Sequence, residues 1–327
     1  MRKICGTPMR ALCLALGVAA LADSAEAVEG AKSLYVLGRR GALAGLIPKP
    51  GWYLTNDVYY YNAGRSNLTP FGDRVAGDIN VDALVNIAQF TWVTDQVFED
   101  GRVALGLVVP YGHVKTDGTV TATLPSGNAA RVNEGDSVTA FGDPTLAASI
   151  GWRHRDGQDF RAWSLYSAVF IPVGDYEKGR LANIGANHWG VDLGSAFTFG
   201  NFDTGRELSG TLGFTFNAKN PDTDYRSGTE FHIEAAFAQH LPKGWSVGLV
   251  SYFYQQLTGD SGPGATLGDF KGRVASIGPQ VGYSFKAADR TIGLNLRWYH
   301  EFAAQNRVEG NAVYLTLSLP LQPDPAK

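Results

Sequence analysis

The feature that most constrains this chain is a two-residue rhythm of apolar side chains that recurs along most of its length. In residues 290–302, Ile292, Leu294, Leu296 and Trp298 fall on one face, while Thr291, Asn295, Arg297, Tyr299 and Glu301 fall on the other. A period of two is the geometry of a β-strand, whose successive side chains point to opposite sides. Residues 311–320 repeat it, with Val313, Leu315, Leu317 and Leu319 opposite Ala312, Tyr314, Thr316 and Ser318. In 229–241, Phe231, Ile233, Ala235 and Phe237 oppose Glu230, His232 and Glu234. In 206–217, Leu208, Leu212, Phe214 and Phe216 oppose Glu207, Ser209, Thr211 and Thr215. Val191, Leu193 and Phe197 oppose Asp192 and Ser195 less regularly, and Val103, Leu105, Leu107, Val109 and Tyr111 form an apolar row with Ala104 and Gly106 between. The pattern predicts about twelve strands: 51–62, 81–94, 101–113, 143–154, 159–172, 188–200, 206–217, 229–241, 245–257, 273–286, 290–302 and 311–320.

A soluble sandwich also alternates, so the connections discriminate. Short ones, 95–100, 155–158, 201–205, 242–244 and 287–289, carry Gly, Asp or Pro. They alternate with long ones, 63–80, 114–142, 173–187, 218–228, 258–272 and 303–310. That rhythm is expected of an all-β, transmembrane, up-and-down antiparallel β-barrel with short periplasmic turns and long extracellular loops. Lipid enforces closure, because every backbone polar group at membrane depth needs an internal partner. An even number of strands returns both ends of the barrel to one side. Trp52, Trp92, Trp152, Trp189, Trp245 and Trp298 lie near proposed strand ends, where interfacial girdles form.

The start of the chain points to export. Arg2, Lys3 and Arg10 precede an apolar run from Ala11 to Ala22 and a small-x-small site at Ala25-Glu26-Ala27, the pattern of a signal peptide cleaved near Ala27. The run of about a dozen residues falls short of the roughly 20 of a spanning helix, so a retained anchor is the weaker reading. Cys13 lacks the small residues expected just before a lipid-modified cysteine. Cys5 and Cys13 are the only cysteines, so residues 28–327 offer no disulfide, thiolate ligand or thiol nucleophile. Those residues carry a net charge of about −4 and no basic stripe, which argues against a nucleic-acid partner. The expected organisation is 1–27 signal, 28–50 an N-terminal segment, 51–320 barrel and 321–327 tail. The 28–50 segment contains Gly38-Arg39-Arg40-Gly41 and lacks the strand pattern; it either hangs in the periplasm or folds into the lumen.

Chemistry in a barrel belongs to the inward row. That row holds Asp57, Tyr59, Asp192 and Glu207, then His232, Glu234, Tyr252 and Tyr254, then Gln256, Arg297, Tyr299 and Glu301. These are candidates for a solute path, and the plainer reading is the solvated, salt-bridged interior of any lumen. Their facing follows from energy, since Arg or Lys toward lipid near the midplane costs roughly 2–4 kcal/mol. Glu230, His232 and Glu234 share a face, but side chains two apart on a strand are separated by about 6.5 Å, wide for a chelate without help from neighbouring strands. A pore-lining cluster is the expected reading, with no metal and no cofactor. Ser261 in Gly259-Asp260-Ser261-Gly262 has no His placed beside it, and Gly262-Pro263-Gly264 lacks the Lys and helix of a phosphate loop. The chain is not expected to be an enzyme, an outer-membrane lipid hydrolase being the remote alternative.

Several motifs occur in one order: Phe141-Gly142-Asp143-Pro144, Ile171-Pro172-Val173-Gly174-Asp175-Tyr176, Asn183-Ile184-Gly185-Ala186-Asn187-His188-Trp189, Tyr225-Arg226-Ser227-Gly228-Thr229-Glu230-Phe231-His232, Tyr254-Gln255-Gln256-Leu257-Thr258-Gly259-Asp260, Ile277-Gly278-Pro279, Glu301-Phe302 and Asn306-Arg307-Val308-Glu309-Gly310. In these the chain resembles, from about residue 50 to 320, the outer-membrane family named for the meta-pathway of phenol degradation. The resemblance implies a channel for passive uptake of small hydrophobic or aromatic compounds, similar in idea to fatty-acid and toluene channels. Its partners would be outer-membrane lipid, the solute and the outer-membrane assembly machinery. The motif residues Asn183, Asn187, Tyr225, Arg226, Asp260, Asn306 and Arg307 fall on strand ends and loops, where they either select solute or order the loops. One departure is that the chain runs on from Leu321 to Lys327 instead of ending on an aromatic, so assembly recognition would use an internal strand. The rival reading is a receptor-like or structural barrel whose lumen is shut by residues 28–50.

Overall fold

A computed structural model of the protein describes residues 33–68, 75–123, 129–265 and 271–323; the expected export signal lies outside them. Among the described residues thirteen strands follow one another: β1 (Gly51–Leu68), β2 (Val75–Phe98), β3 (Gly101–Thr123), β4 (Ala129–Phe141), β5 (Thr145–Asp156), β6 (Asp159–Phe170) and β7 (Gly190–Asn201), then β8 (Arg206–Asn217), β9 (Glu230–His240), β10 (Trp245–Gln256), β11 (Arg273–Ala287), β12 (Arg290–Gln305) and β13 (Glu309–Pro320). Twelve form a closed antiparallel ring, with β1 hydrogen-bonded to both β2 and β13. The extra strand, β4, pairs with the outer half of β3, while β5 pairs with its inner half.

The expected strands stand within a few residues of these, but three connections differ. Segments 63–80 and 114–142, expected as long loops, are largely strand: β1 and β2 pair out to Leu68 and Gly77, and β3 and β4 out to Thr123 and Ala129. Asp117-Gly118 reads as a turn in sequence, yet Asp117 pairs with Asn80 on one side and Gly135 on the other. The β-branched residues around it, Thr116, Thr119, Val120 and Thr121, favour the extended chain. The expected loop 303–310 shrinks to 306–308.

Residues 142–144 interrupt what would otherwise be one long strand. Val108 faces Thr145 and Tyr111 faces Phe141, so the β4–β5 side advances four residues while β3 advances three. Pro110, which has no N–H to donate, sits opposite the break.

Outward side chains form an apolar belt that includes Leu208, Leu212, Phe237, Leu249, Leu296 and Leu315, all exposed as lipid contact requires. Trp52 stacks on Trp92 and Trp152 on Trp163 near the short turns, and Trp189 and Trp298 lie toward the other rim. One facing departs from expectation. Ser195 shares the outward side with Leu193, because the inward positions of β7 alternate Asp192, Gly194, Ala196 and Thr198. Gly194 leaves the space that the Tyr166 hydroxyl fills, since an added Cβ would lie 2.4 Å from it.

Candidate functional site

The segment from Ser33 to Ile47 lies against inward-facing side chains of the barrel wall, as a plug. The wall holds it mainly through its backbone. The Glu234 carboxylate accepts from the amides of Gly38 (3.0 Å) and Arg40 (2.9 Å), Glu207 from that of Leu43 (2.6 Å), and Thr198 from that of Gly45 (3.0 Å). In return Arg297 donates to the carbonyls of Gly38 (3.0 Å) and Arg39 (2.7 Å), Tyr299 to that of Gly38 (2.9 Å) and Tyr314 to that of Leu37 (2.5 Å). A strandless segment can be buried only if its backbone groups find such partners. Glycine permits the approach: a Cβ on Gly45 would lie 2.6 Å from the Phe197 backbone.

Side chains add to the hold. The ring of Tyr35 stacks on His232 at 3.6 Å, and Ser33 donates to Glu230. Arg39 pairs with Asp57 (3.3 Å) and donates to Gln89 (2.7 Å). The Arg40 guanidinium lies 4.0 Å over the ring of Tyr166. Removing one partner of a buried ion pair typically costs about 3–5 kcal/mol, so Asp57, which also accepts from Thr316 (2.5 Å), anchors both plug and wall.

All twelve inward candidates face the lumen. Asp57, Asp192, Glu207, His232, Glu234, Tyr252, Tyr254, Gln256, Arg297, Tyr299 and Glu301 are buried, and Tyr59 is half-buried. They do not form one site. His232 pairs with Asp192 (2.9 Å), Glu230 accepts from Asn217 (2.7 Å), and Glu234 is taken up by plug amides, so the Glu230, His232, Glu234 row is spent on separate partners. Glu301 accepts from Tyr61 (2.8 Å), Tyr252 (2.7 Å) and the Gly310 amide (2.9 Å).

Between the plug and the opposite wall lies a cavity of about 1390 Å³, lined in part by Asp57, Tyr59, Asp192, Tyr252, Arg297 and Glu301. Its lining reaches from Arg180 and Thr223 on the long loops to Gly244 and Ser284 beside the short turns, so it runs lengthwise through the barrel. The two sides differ in chemistry. Polar inward rows on β7 to β9 meet the plug, whereas the cavity meets Val81, Ala83, Val85 and Ile87 on β2, and Ala104, Gly106, Val108 and Pro110 on β3, an apolar stretch bounded by Gln89 and Thr91 on one side and Asp78, Thr116 and Thr119 on the other.

The family-like motifs converge on two knots. At the first, Asp143 accepts from the amides of Gly174 (2.8 Å) and Ala186 (2.6 Å), Asp175 N donates to Phe141 O (2.9 Å), and Gly185 N to Asp175 O (2.8 Å). These bonds fasten the 171–187 connection over the strand break. The sequence motifs contained Asp143 without marking it as a site residue; an Asp in a Gly-Asp-Pro break that lines a lumen was the available signal. At the second, Asp260 accepts from the Tyr225 hydroxyl (2.5 Å), the Gly228 amide (2.9 Å) and Gln256 (2.6 Å). Burial pushes the Asp260 carboxyl up to about 6 despite those donors. The other loop candidates also bond within the loops and strand ends. Asn183 binds the backbone of Glu177 and Arg180, Asn187 (φ 57°) donates to Asn220 and Asp222, and Arg226 donates to Asn217 O. Asn306 (φ 49°) donates to Lys271 O. Arg307 lies 4.7 Å over the Tyr254 ring and, with Tyr225 and Asn183, also lines the cavity.

The family model described as "Putative MetA-pathway of phenol degradation" matches residues 63–317. No curated protein matches the chain. The COG4313 outer membrane channel from Pseudomonas putida F1 is similar over 87% of this chain and 98% of its own, at 16% identity and a TM-score of 0.60. The transport unit of the autotransporter AIDA-I from Escherichia coli is aligned over 94% of this chain and 97% of its own, at 11% identity and a TM-score of 0.44. The first likeness shows that the fold is that of an outer-membrane β-barrel.

Proposed function

The chain belongs to the phenol-degradation family whose model spans its barrel, and on that premise we propose that it is an outer-membrane channel through which small hydrophobic or aromatic solutes pass without a catalytic step. The observation that carries this reading is the lengthwise cavity beside the plug, walled on one side by a stretch of apolar side chains from Val81 to Ile87 and from Ala104 to Pro110. Of the inward candidates, Asp57, Tyr59, Asp192, Tyr252, Arg297 and Glu301 border the solute's route, and Glu207, His232, Glu234 and Tyr299 hold the plug or its surroundings. Residues 1–27 serve as the export signal, cleaved near Ala27, and the lipid-facing belt and assembly machinery are the barrel's other partners.

The test is uptake by cells lacking the gene, with and without its restoration. Lipopolysaccharide-bearing cells are needed because a small aromatic hydrocarbon crosses a plain phospholipid bilayer unaided. Restored uptake of a labelled aromatic supports the channel, and an unchanged rate for aromatic and fatty probes alike contradicts it. A second reading, a closed receptor-like barrel, is favoured by the number of hydrogen bonds holding the plug. It predicts no conductance in planar bilayers.

A further inference from the structure

The lipid face carries a pair of amides at a depth where the rest of it is apolar. On β1 the outward side chains include Leu54, Asn56 and Val58, because Asp57 and Tyr59 face the lumen. On β2 they include Leu84, Asn86 and Ala88, because Val85 and Ile87 face inward. Asn56 and Asn86 lie diagonally across this seam and bond to each other. Asn56 Nδ2 donates to Asn86 Oδ1 at 3.0 Å, and Asn86 Nδ2 to Asn56 Oδ1 at 2.9 Å. The stacked Trp52 and Trp92 near the short turns give the scale of depth. At about 3.3 Å per residue along strands tilted about 40°, Asn56 lies roughly 10 Å and Asn86 roughly 15 Å beyond them, inside an apolar band about 25 Å tall. Higher on the seam Asn62 donates to Asp82 at 2.5 Å, and Asp82 is in register with Lys115. Those groups reach the outer rim, where polar side chains are ordinary.

Elsewhere among the described residues, outward positions at mid-depth carry apolar side chains or the small Ser167, Ser195 and Ser251. A serine can return its one O–H to nearby backbone. A carboxamide has two N–H donors and a carbonyl with two lone pairs. In the mutual pair each asparagine uses one donor and one lone pair, so each has one of both left over. Hydrocarbon supplies a partner to neither. Ala88, in register with Asn56, is the smallest side chain of the patch and lets another surface approach the amides.

Whatever covers this pair must present donors and acceptors together at the same depth, and a second copy of the chain does so of necessity. Insertion fixes the orientation and height of every copy, so a half-turn about the membrane normal sets one amide pair against the other. The leftover groups are their own complement, a donor and an acceptor on each asparagine, as a two-fold contact between identical patches requires. Around them Val58, Leu84 and Phe90 meet their own counterparts, all three being exposed in the single barrel.

We infer that the β1–β2 lipid face is a two-fold interface between two copies of this barrel, joined at its centre by the Asn56 and Asn86 amides. The contact involves the outer face alone and is independent of what passes through the lumen.

The experiment uses the full chain in the outer membrane of cells lacking the gene. Residues 28–327 contain no cysteine, and the unsubstituted chain controls for Cys5 and Cys13. Val58→Cys, in register with Asn86, is oxidised in intact cells with copper phenanthroline and read on non-reducing gels as a disulfide-linked homodimer. Leu249→Cys, four residues beyond Trp245 on β10, reports random collision at a similar depth. Barrel folding is checked by heat-modifiable migration. Val58→Cys is expected to cross-link well above Leu249→Cys. Adding Asn56→Leu and Asn86→Leu together is expected to cut that yield on the order of tenfold, the change that a few hydrogen bonds between membrane segments set. Ala88→Cys, in register with Asn56, takes the place of Val58→Cys if that variant does not fold. Yields no higher than at Leu249, or yields unchanged by the two leucines in a folded barrel, overturn the interface. A cross-linked product of another mass overturns a second copy as the occupant.

Discussion

At Asp143 two backbone amides from a loop more than thirty residues away in sequence converge on one carboxylate. Replacing it by Ala leaves both amides without that acceptor, at a cost of about 1–3 kcal/mol each. Asp143→Ala is therefore expected to expose the 171–189 connection to protease in otherwise intact cells, with Asp143→Asn intermediate. Asp260 supplies a pH-dependent counterpart. Its carboxyl sits at about 6 in the folded loop against 3.8 when free. The folded state thus holds the proton more tightly, so this stabilisation is fully present below about 4 and is lost as pH rises through about 6. Hydrogen exchange at Tyr225 and Gly228, corrected for intrinsic rates, should speed up across that window in wild type and lose the pH dependence in Asp260→Asn. The two knots were only partly legible. Their motifs could be read from sequence, but an Asp that binds distant amides looks the same as one that terminates a turn.

The plug is an element held by its backbone, so its attachment depends on wall carboxylates more than on its own side chains. Glu234→Ala frees the amides of Gly38 and Arg40 together. At about 1.4 kcal/mol per tenfold change in population, loss of these bonds should raise the detached fraction at least tenfold, seen as more frequent large openings in single-channel records. Unaltered gating would mean the plug is anchored elsewhere. Strands were the most legible elements, because lipid outside and polar groups inside impose a strict period on β8, β9, β12 and β13. The plug was not, since nothing local distinguishes a strandless segment that enters a lumen from one that leaves it. Strand β4 was also missed. Gly142-Asp143-Pro144 ends one run, and Asp117-Gly118 imitates a turn within the strand that β4 pairs with.

For the whole molecule, inside and outside are not the only division; the lumen itself has two sides. Polar rows on β7 to β9 receive the plug, and the apolar middle of the β2 and β3 rows faces open space. The alternation in sequence displays the first side plainly, whereas Val85, Ile87 and Val108 resemble lipid-facing residues until closure of the ring turns them inward. The most direct test of passage along this cavity is toluene uptake by lipopolysaccharide-bearing cells whose only source of the channel is the restored gene. The account predicts faster uptake than in the deletion strain, saturating with toluene. Equal uptake with and without the gene would contradict it.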